Sequence, residues 1–146
     1  MDILASNPCA IPVGAHLTTP RRGFTHHGIH IGNGRVVHYP GSSRCFDTGP
    51  VCEVSIDEFE RGHGFSIAAT ASRFNTEQIV VRARSRIGEA AYSVTANNCE
   101  HFCHWCLNGT PKSEQVETFT QPLERLLAWV GTAMPARLRP APVVAV

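Results

Sequence analysis

The chain has 146 residues, and its 13 Lys and Arg against 12 Asp and Glu give a formal net charge of +1. This length predicts one domain with a proper hydrophobic core, and the absence of a basic run argues against a nucleic-acid partner. The six cysteines follow an N-terminus without a secretory signal, so we expect reduced thiols in a cytoplasmic protein rather than a disulfide framework.

The predicted elements follow in chain order after an irregular segment at residues 1–12. Alternating apolar residues predict strands at residues 15–18, 25–31, 36–39, 52–55, 66–70 and 92–94. Residues 41–50 form a predicted polar loop, and residues 56–59 a short capped helical turn. Helices are predicted at residues 76–87 and 98–107, the first capped by Asn75 or Thr76.

The strands at residues 25–31 and 36–39 are predicted to form a hairpin around Asn33 and Gly34, and they carry several histidines. A two-residue turn would place His27 and His38 on one face of the sheet. A three-residue loop, with Gly34 in a left-handed bulge, would pair Ile31 with Arg35 and place His26 beside His38. A shift of one residue exchanges the two faces, so the hairpin alone leaves the choice open.

Cys99 is predicted in the first turn of the helix at residues 98–107. Asn97 or Asn98 is a suitable N-cap, with Glu100 completing a capping box to Asn97. One apolar stripe is formed by Cys99, Phe102, Cys103 and Cys106. A helix start and a nearby imidazole both lower a cysteine pKa, so this pattern favours a reactive thiol; the alternative is a small buried core residue.

The remaining motifs say less about function. Cys103 and Cys106 form a Cys-x-x-Cys without a second pair, and Cys45 and Cys52 have the wrong spacing for a zinc knuckle, so we expect no metal site. Residues 117–134 predict an amphipathic helix, and residues 135–146 a Pro-rich tail. The apolar run in that helix is too short to cross a bilayer, so we expect no transmembrane anchor, although the helix could touch a membrane surface.

Taken together, these segments resemble the lecithin:retinol acyltransferase-like domain, over residues 13–116. The resemblance is carried by residues 13–17, the hairpin from His26 to His38, residues 82–89, Tyr92, and residues 98–102. It implies an α+β, circularly permuted papain-like fold, in which an antiparallel sheet packs against helices and the histidine-bearing strands precede the cysteine-bearing helix. It implies no cofactor.

The resemblance also assigns roles to three residues. It implies Cys99 as the nucleophile, His26 as its general base and His38 as the orienting polar residue, and its spacing selects the three-residue register. Such a triad transfers an acyl group through a covalent thioester. The sequence departs from the family at His27 and His30, where mammalian members tend to carry aromatic residues.

The sequence therefore predicts a cysteine-dependent acyltransferase or phospholipase A-type hydrolase that acts on lipid acyl esters through an acyl-Cys99 intermediate. Two alternatives remain at this stage: a cysteine peptidase or amidase on the same fold, and a non-catalytic interaction module. An apolar surface around Cys99 would favour a lipid substrate, a polar cleft would favour a peptide, and a His26 far from Cys99 would favour the interaction module.

Overall fold

The computed structural model describes residues 11–42 and 48–118. The strands are β1 (His16–Arg21), β2 (Phe24–Gly32), β3 (Arg35–His38), β4 (Gly41–Ser42), β5 (Thr48–Gly49), β6 (Cys52–Ser55) and β7 (Ser66–Ile67). The helices are α1 (Ile56–Glu60), α2 (Thr76–Ser85) and α3 (Cys99–Asn108). All of these belong to one compact unit that ends at Ser113, and residues 114–118 form a short helical segment of a second unit.

The architecture is α+β, as the sequence predicts. The main sheet has five strands in the order β6-β3-β2-β1-β7, and every neighbouring pair is antiparallel. Strands β4 and β5 form a separate two-stranded ribbon. The central strand β2 is buried on both faces over residues 26–31, which explains its nearly continuous run of histidine and isoleucine.

Each face of the sheet has its own apolar core. On one face, Ile29 and Val37 pack with Ile79 of α2 and with Cys99 and Phe102 of α3. On the other face, a smaller cluster is formed by Ile11, Leu17, Val36, Ile56 and Phe59, with the last two from α1. Alternation along β2 therefore assigns successive side chains to different cores.

The turn between β2 and β3 combines features of both predicted registers. Gly32 pairs with Arg35 across a two-residue turn, in which Asn33 and Gly34 have φ values of 51° and 67°. Positive φ at both positions matches the turn type that Asn-Gly favours. An irregularity at Ile31 then shifts the pairing by one residue, so that Gly28 lies opposite His38. The bulge expected at Gly34 is thus at Ile31. It still has the expected effect on the register, which is to place His26 and His38 on the same face of the sheet.

Several predicted elements differ in the structure. The loop predicted at residues 41–50 contains β4 and β5, and the strand predicted at residues 66–70 ends at Ile67. Helix α2 has the expected Asn75 cap but ends at Ser85, not at residue 87. The strand predicted at residues 92–94 is absent from the described sheet; Ser93 instead pairs with Asn97 in an isolated bridge. The two main-chain hydrogen bonds of this bridge close a tight turn, so the segment has no length left to add to a sheet.

Arginine side chains connect α2 to α3. The Arg82 guanidinium lies 3.9 Å from the centre of the Trp105 ring and 4.4 Å from that of Phe74, and it donates to the Trp105 carbonyl at 2.9 Å. A cation at the C-terminal end of a helix complements the helix dipole and its unpaired carbonyls. These contacts fix the orientation of α3, whose first residue is Cys99.

Most of the predicted C-terminal helix at residues 117–134, all of the tail at 135–146 and most of the N-terminal segment at 1–12 lie outside the described residues. Across residues 11–42 and 48–118, no helix is both long enough and apolar enough to cross a membrane.

The approach of β2 to α1 leads to a stability prediction. A Cβ atom added at Gly28 would lie 2.6 Å from Val36 Cγ1 and 2.8 Å from Phe59 Cε2. We expect Gly28→Ala to lower the free energy of unfolding by about 1–3 kcal/mol, because both neighbours are fully buried and must move. Urea unfolding measures this loss.

The matched control is Gly49→Ala, whose new Cβ would meet only Pro40 Cγ at 3.8 Å. A Gly28→Ala protein as stable as the control would contradict the tight packing of β2 on Phe59.

Candidate active site

Asn98 caps the helix that carries Cys99. Its side-chain oxygen accepts from the main-chain N–H groups of Glu100 and His101, both at 3.0 Å, and His101 Nδ1 accepts from the Asn98 N–H at 3.1 Å. The capping box is therefore Asn98 with His101, not Asn97 with Glu100. The Glu100 carboxylate is buried and accepts from the Ser113 hydroxyl at 2.6 Å.

Cys99 lies in the first turn of α3 and is only 3% exposed. Its sulfur faces the main-chain N–H groups of His27 and Glu100, which lower its pKa. The His27 N–H belongs to the peptide that joins His26 to His27, so the thiol lies against the main chain of β2 at this peptide. Among the described residues, the Cys99 sulfur makes no hydrogen bond to the His26 ring, whose partner is His38. The predicted stripe is confirmed, because Phe102, Cys103 and Cys106 are buried as well.

The protonation of Cys99 differs from the sequence prediction. Burial first, and the nearby Glu100 carboxylate to a smaller extent, raise the pKa of the Cys99 thiol to about 11 in spite of the lowering by main-chain N–H groups. Desolvation of the anion thus exceeds the favourable effect of the helix start. The resting residue is a neutral thiol, and the expected lowering of the Cys99 pKa is wrong for this state.

His26 and His38 form a hydrogen-bonded pair. His26 Nε2 and His38 Nδ1 are 2.7 Å apart, and both side chains are buried. Phe59 packs against both rings, with centroid distances of 5.4 Å and 5.9 Å. The predicted placement of these two histidines on one face is confirmed, and the bulge at Ile31 produces it.

Burial keeps both imidazoles neutral. Desolvation lowers the pKa of His26 well below its usual value, with smaller contributions from His38 and Arg21. The pKa of His38 is lowered to about 4, by desolvation first and then by Arg21 and Arg61. The Arg21 guanidinium is itself held by the Phe59 carbonyl, and it discourages a positive charge at this pair.

The other histidines of β2 have different partners. His27 Nδ1 lies 2.8 Å from His16 Nε2, and His16 Nδ1 lies 2.7 Å from the Thr70 hydroxyl. His30 Nδ1 donates to the Pro12 carbonyl at 3.0 Å. Sequence reasoning missed His16, because its partnership with His27 follows only from the pairing of β1 with β2.

Tyr92 lies against the start of α3. Its hydroxyl accepts from the Cys99 main-chain N–H, and burial raises its pKa to about 12. The ring stacks edge-on against Tyr39 at 5.1 Å, whose hydroxyl in turn accepts from the Ala91 N–H at 2.6 Å. These contacts hold the segment before Cys99 close to the end of β3.

No group of three or more His, Cys, Asp or Glu side chains within the described ranges is arranged to hold a metal ion. Cys103 and Cys106 lie in the apolar core between the sheet and α3, where desolvation raises the pKa of both thiols. The site therefore supplies the Cys99 thiol, the neutral His26 imidazole with its partner His38, and main-chain N–H donors beside the thiol.

The buried histidines predict how stability depends on pH. The pKa of His16 is lowered to about 3, and those of His27 and His38 to about 4, from an unperturbed 6.5. Between these values the unfolded chain binds protons that the folded chain does not, so the free energy of unfolding falls as the pH drops from about 6.5 toward 4. Urea titrations at pH 7.5, 6.0 and 5.0 measure the fall.

We expect His27→Gln to reduce this pH dependence, since a glutamine can bond to His16 but does not titrate. The matched control His63→Gln removes an exposed histidine and should leave the dependence unchanged. An unfolding free energy that is flat between pH 7.5 and 5.0 in the unmodified protein would contradict the neutral buried imidazoles.

Comparison with known proteins identifies the family. The sequence model of lecithin retinol acyltransferase matches residues 9–112. The chain is 29% identical over 143 residues to lecithin retinol acyltransferase of Rattus norvegicus, covering 78% of this chain and 62% of that protein. It is 27% identical over 121 residues to phospholipase A and acyltransferase 2 of Homo sapiens, covering 71% of this chain and 75% of that protein.

The chain spans about three fifths of the length of the lecithin retinol acyltransferases that it matches. The family match extends from before β1 to beyond the end of α3, so it includes the hairpin, Cys99 and both of their supporting cores. The chain belongs to the lecithin retinol acyltransferase family.

Proposed function

We propose that this chain is a thiol acyltransferase or phospholipase A-type hydrolase, with Cys99 as nucleophile, His26 as general base and His38 as orienting residue. The observation that carries the proposal is the pairing of His26 with His38 at 2.7 Å, with the Cys99 sulfur at the peptide that follows His26. Membership of a family whose members are named as acyltransferases and phospholipases supports an enzyme of this class. The proposal includes the circularly permuted papain-like arrangement, in which the base precedes the nucleophile in the chain.

The first half-reaction begins from a neutral thiol and a neutral imidazole. As the Cys99 sulfur attacks the acyl carbonyl carbon, His26 takes the thiol proton, and it then returns that proton to the departing alcohol oxygen. The product is an acyl-Cys99 thioester and a free alcohol. Because the Cys99 pKa lies far above that of His26, proton transfer without attack is uphill, so the transfer accompanies carbon–sulfur bond formation.

In the second half-reaction, an acceptor attacks the thioester carbonyl and gives its proton to His26, which passes it to the departing sulfur. Water as acceptor gives hydrolysis, and an amine or a second lipid gives transfer. Negative charge on the carbonyl oxygen requires donors that are already in place. The main-chain N–H groups of His27 and Cys99 are candidates, once the carbonyl oxygen replaces their resting contacts with the Cys99 sulfur and the Tyr92 hydroxyl.

Exposed apolar side chains near the site favour a lipid acyl ester over a peptide. Phe24 is 41% exposed, and its ring centroid lies 6.4 Å from that of His26. Val94 is 65% exposed, and its carbonyl accepts from the Asn98 side chain next to Cys99. A lipid entering beside these residues would replace water around them, which stabilises the complex. A cytoplasmic location, with contact to a membrane surface, is part of the same proposal.

The acyl-enzyme provides the direct test. Incubation with a dispersed short-chain phosphatidylcholine should add one acyl mass to the Cys99 peptide, detected by mass spectrometry. We expect Cys99→Ala to form no adduct, and His26→Ala to lower the rate of adduct formation by about 100-fold or more, the typical contribution of a general base. His38→Gln should lower the rate less, because an amide can still accept from His26 Nε2.

The exposed His63→Gln variant serves as the control and should acylate like the unmodified protein. Adduct formation that survives in Cys99→Ala would refute the mechanism. Rapid turnover of a peptide or amide by a protein that acts on no lipid ester would instead support the amidase alternative.

A further inference from the structure

The His26–His38 pair continues to a third side chain that the proposed triad does not use. His38 Nε2 lies 3.4 Å from the sulfur of Cys52, and Cys52 is directly opposite His38 in the pairing of β3 with β6. With His26 at its Nδ1 and Cys52 at its Nε2, His38 has a partner at each ring nitrogen. The three residues form an unbroken chain along one face of the sheet.

A neutral imidazole carries one N–H and one bare nitrogen, so both hydrogen bonds through His38 must run in the same direction. If the Cys52 sulfur accepts from His38 Nε2, then His38 Nδ1 is bare and accepts from His26 Nε2. The remaining nitrogen of His26, Nδ1, is then bare and can take a proton. If Cys52 donates instead, the proton positions reverse and His26 Nδ1 is already protonated.

We propose that Cys52 is a positioning residue, whose sulfur accepts from His38 Nε2 and thereby selects the form of His26 that can act as a base. This inference rests on the proposed roles of Cys99 and His26. Protonated His26 carries hydrogens on both nitrogens, so it can only donate to His38. Once His26 holds the proton from Cys99, the hydrogen bonds from His26 to His38 and from His38 to Cys52 must therefore both donate toward Cys52.

The surroundings of the chain agree with this role. Arg21 and Arg61 disfavour a positive charge on His26 and His38, so both rings are neutral at rest. The hydrogen bond to Cys52 therefore has to select between neutral tautomers. Glu58 faces both His38 and Cys52, and it joins burial in raising the pKa of the Cys52 thiol. The side chain at position 52 is thus a neutral thiol, which is a weak hydrogen-bond acceptor. A substitution at this position can change the strength of the acceptor without adding charge.

Two variants separate acceptor strength from packing. Cys52→Ala removes the acceptor, and we expect kcat for acyl release to fall about fivefold, the factor that one net hydrogen bond represents, with little change in KM. Cys52→Ser keeps an acceptor of similar size, so its kcat should equal or exceed that of the unmodified protein. The control Val54→Ala truncates a neighbour on β6 and should leave kcat unchanged.

The pH profile supplies a readout that a structural role would not move. Loss of the acceptor destabilises protonated His26, so the acid limb of kcat/KM should shift to lower pH in Cys52→Ala but not in Val54→Ala. An acid limb and kcat that are identical in the unmodified, Cys52→Ala and Cys52→Ser proteins would overturn the role of Cys52.

Nitrogen-15 NMR of the imidazoles, recorded without substrate, tests the hydrogen-bond relay from His26 through His38 to Cys52 independently of catalysis. We expect His26 with hydrogen on Nε2 in the unmodified and Cys52→Ser proteins, and a mixture of tautomers in Cys52→Ala. This result in a protein that acylates no lipid would support the relay while the proposed function fails. A His26 that carries its hydrogen on Nδ1, in a protein that does form acyl-Cys99, would refute the relay alone.

Discussion

The pairing of β2 with β3 is the constraint on which the site depends. A single irregularity at Ile31 shifts the pairing by one residue and places Gly28, rather than Ile29, opposite His38. Because strand side chains alternate, that shift decides which histidine shares a face with His38. His26 then approaches His38, while His27 faces the opposite core and pairs with His16. Without the bulge, the roles of the two neighbours would be exchanged.

The second constraint is burial, which sets the chemistry of the thiol. The start of α3 supplies main-chain N–H groups and a favourable dipole, yet the Cys99 pKa is raised to about 11 because the thiol is removed from water. The same burial lowers the pKa of His26. Both groups are therefore neutral at rest, and the mechanism proposed above accordingly moves the proton during attack instead of storing a thiolate. A closed, uncharged site also limits reaction of the thiol with other electrophiles.

Close packing on the α1 face links stability to the geometry of the site. Phe59 fills the space over Gly28 and contacts the rings of both His26 and His38, and its carbonyl holds Arg21. A residue that looks like ordinary core therefore fixes the imidazoles and the nearest cation together. On the other face, Phe102 and Tyr39 support Tyr92 and the start of α3. The site lies where these two cores meet at β2.

The sequence by itself determined most of the elements and the candidate residues. Local signals placed the caps to within one residue, at Asn75 or Thr76 and at Asn97 or Asn98, together with the turn at Asn33 and Gly34 and the buried stripe of α3. Capping, turn conformation and helical period all depend on neighbours in the chain. Only the tertiary structure decided the position of the bulge, the raised pKa of Cys99, and the contacts of His38 with Cys52 and of His27 with His16. These properties depend on strands that are distant in sequence and on how much water the surrounding cores exclude, and neither is encoded in any short segment.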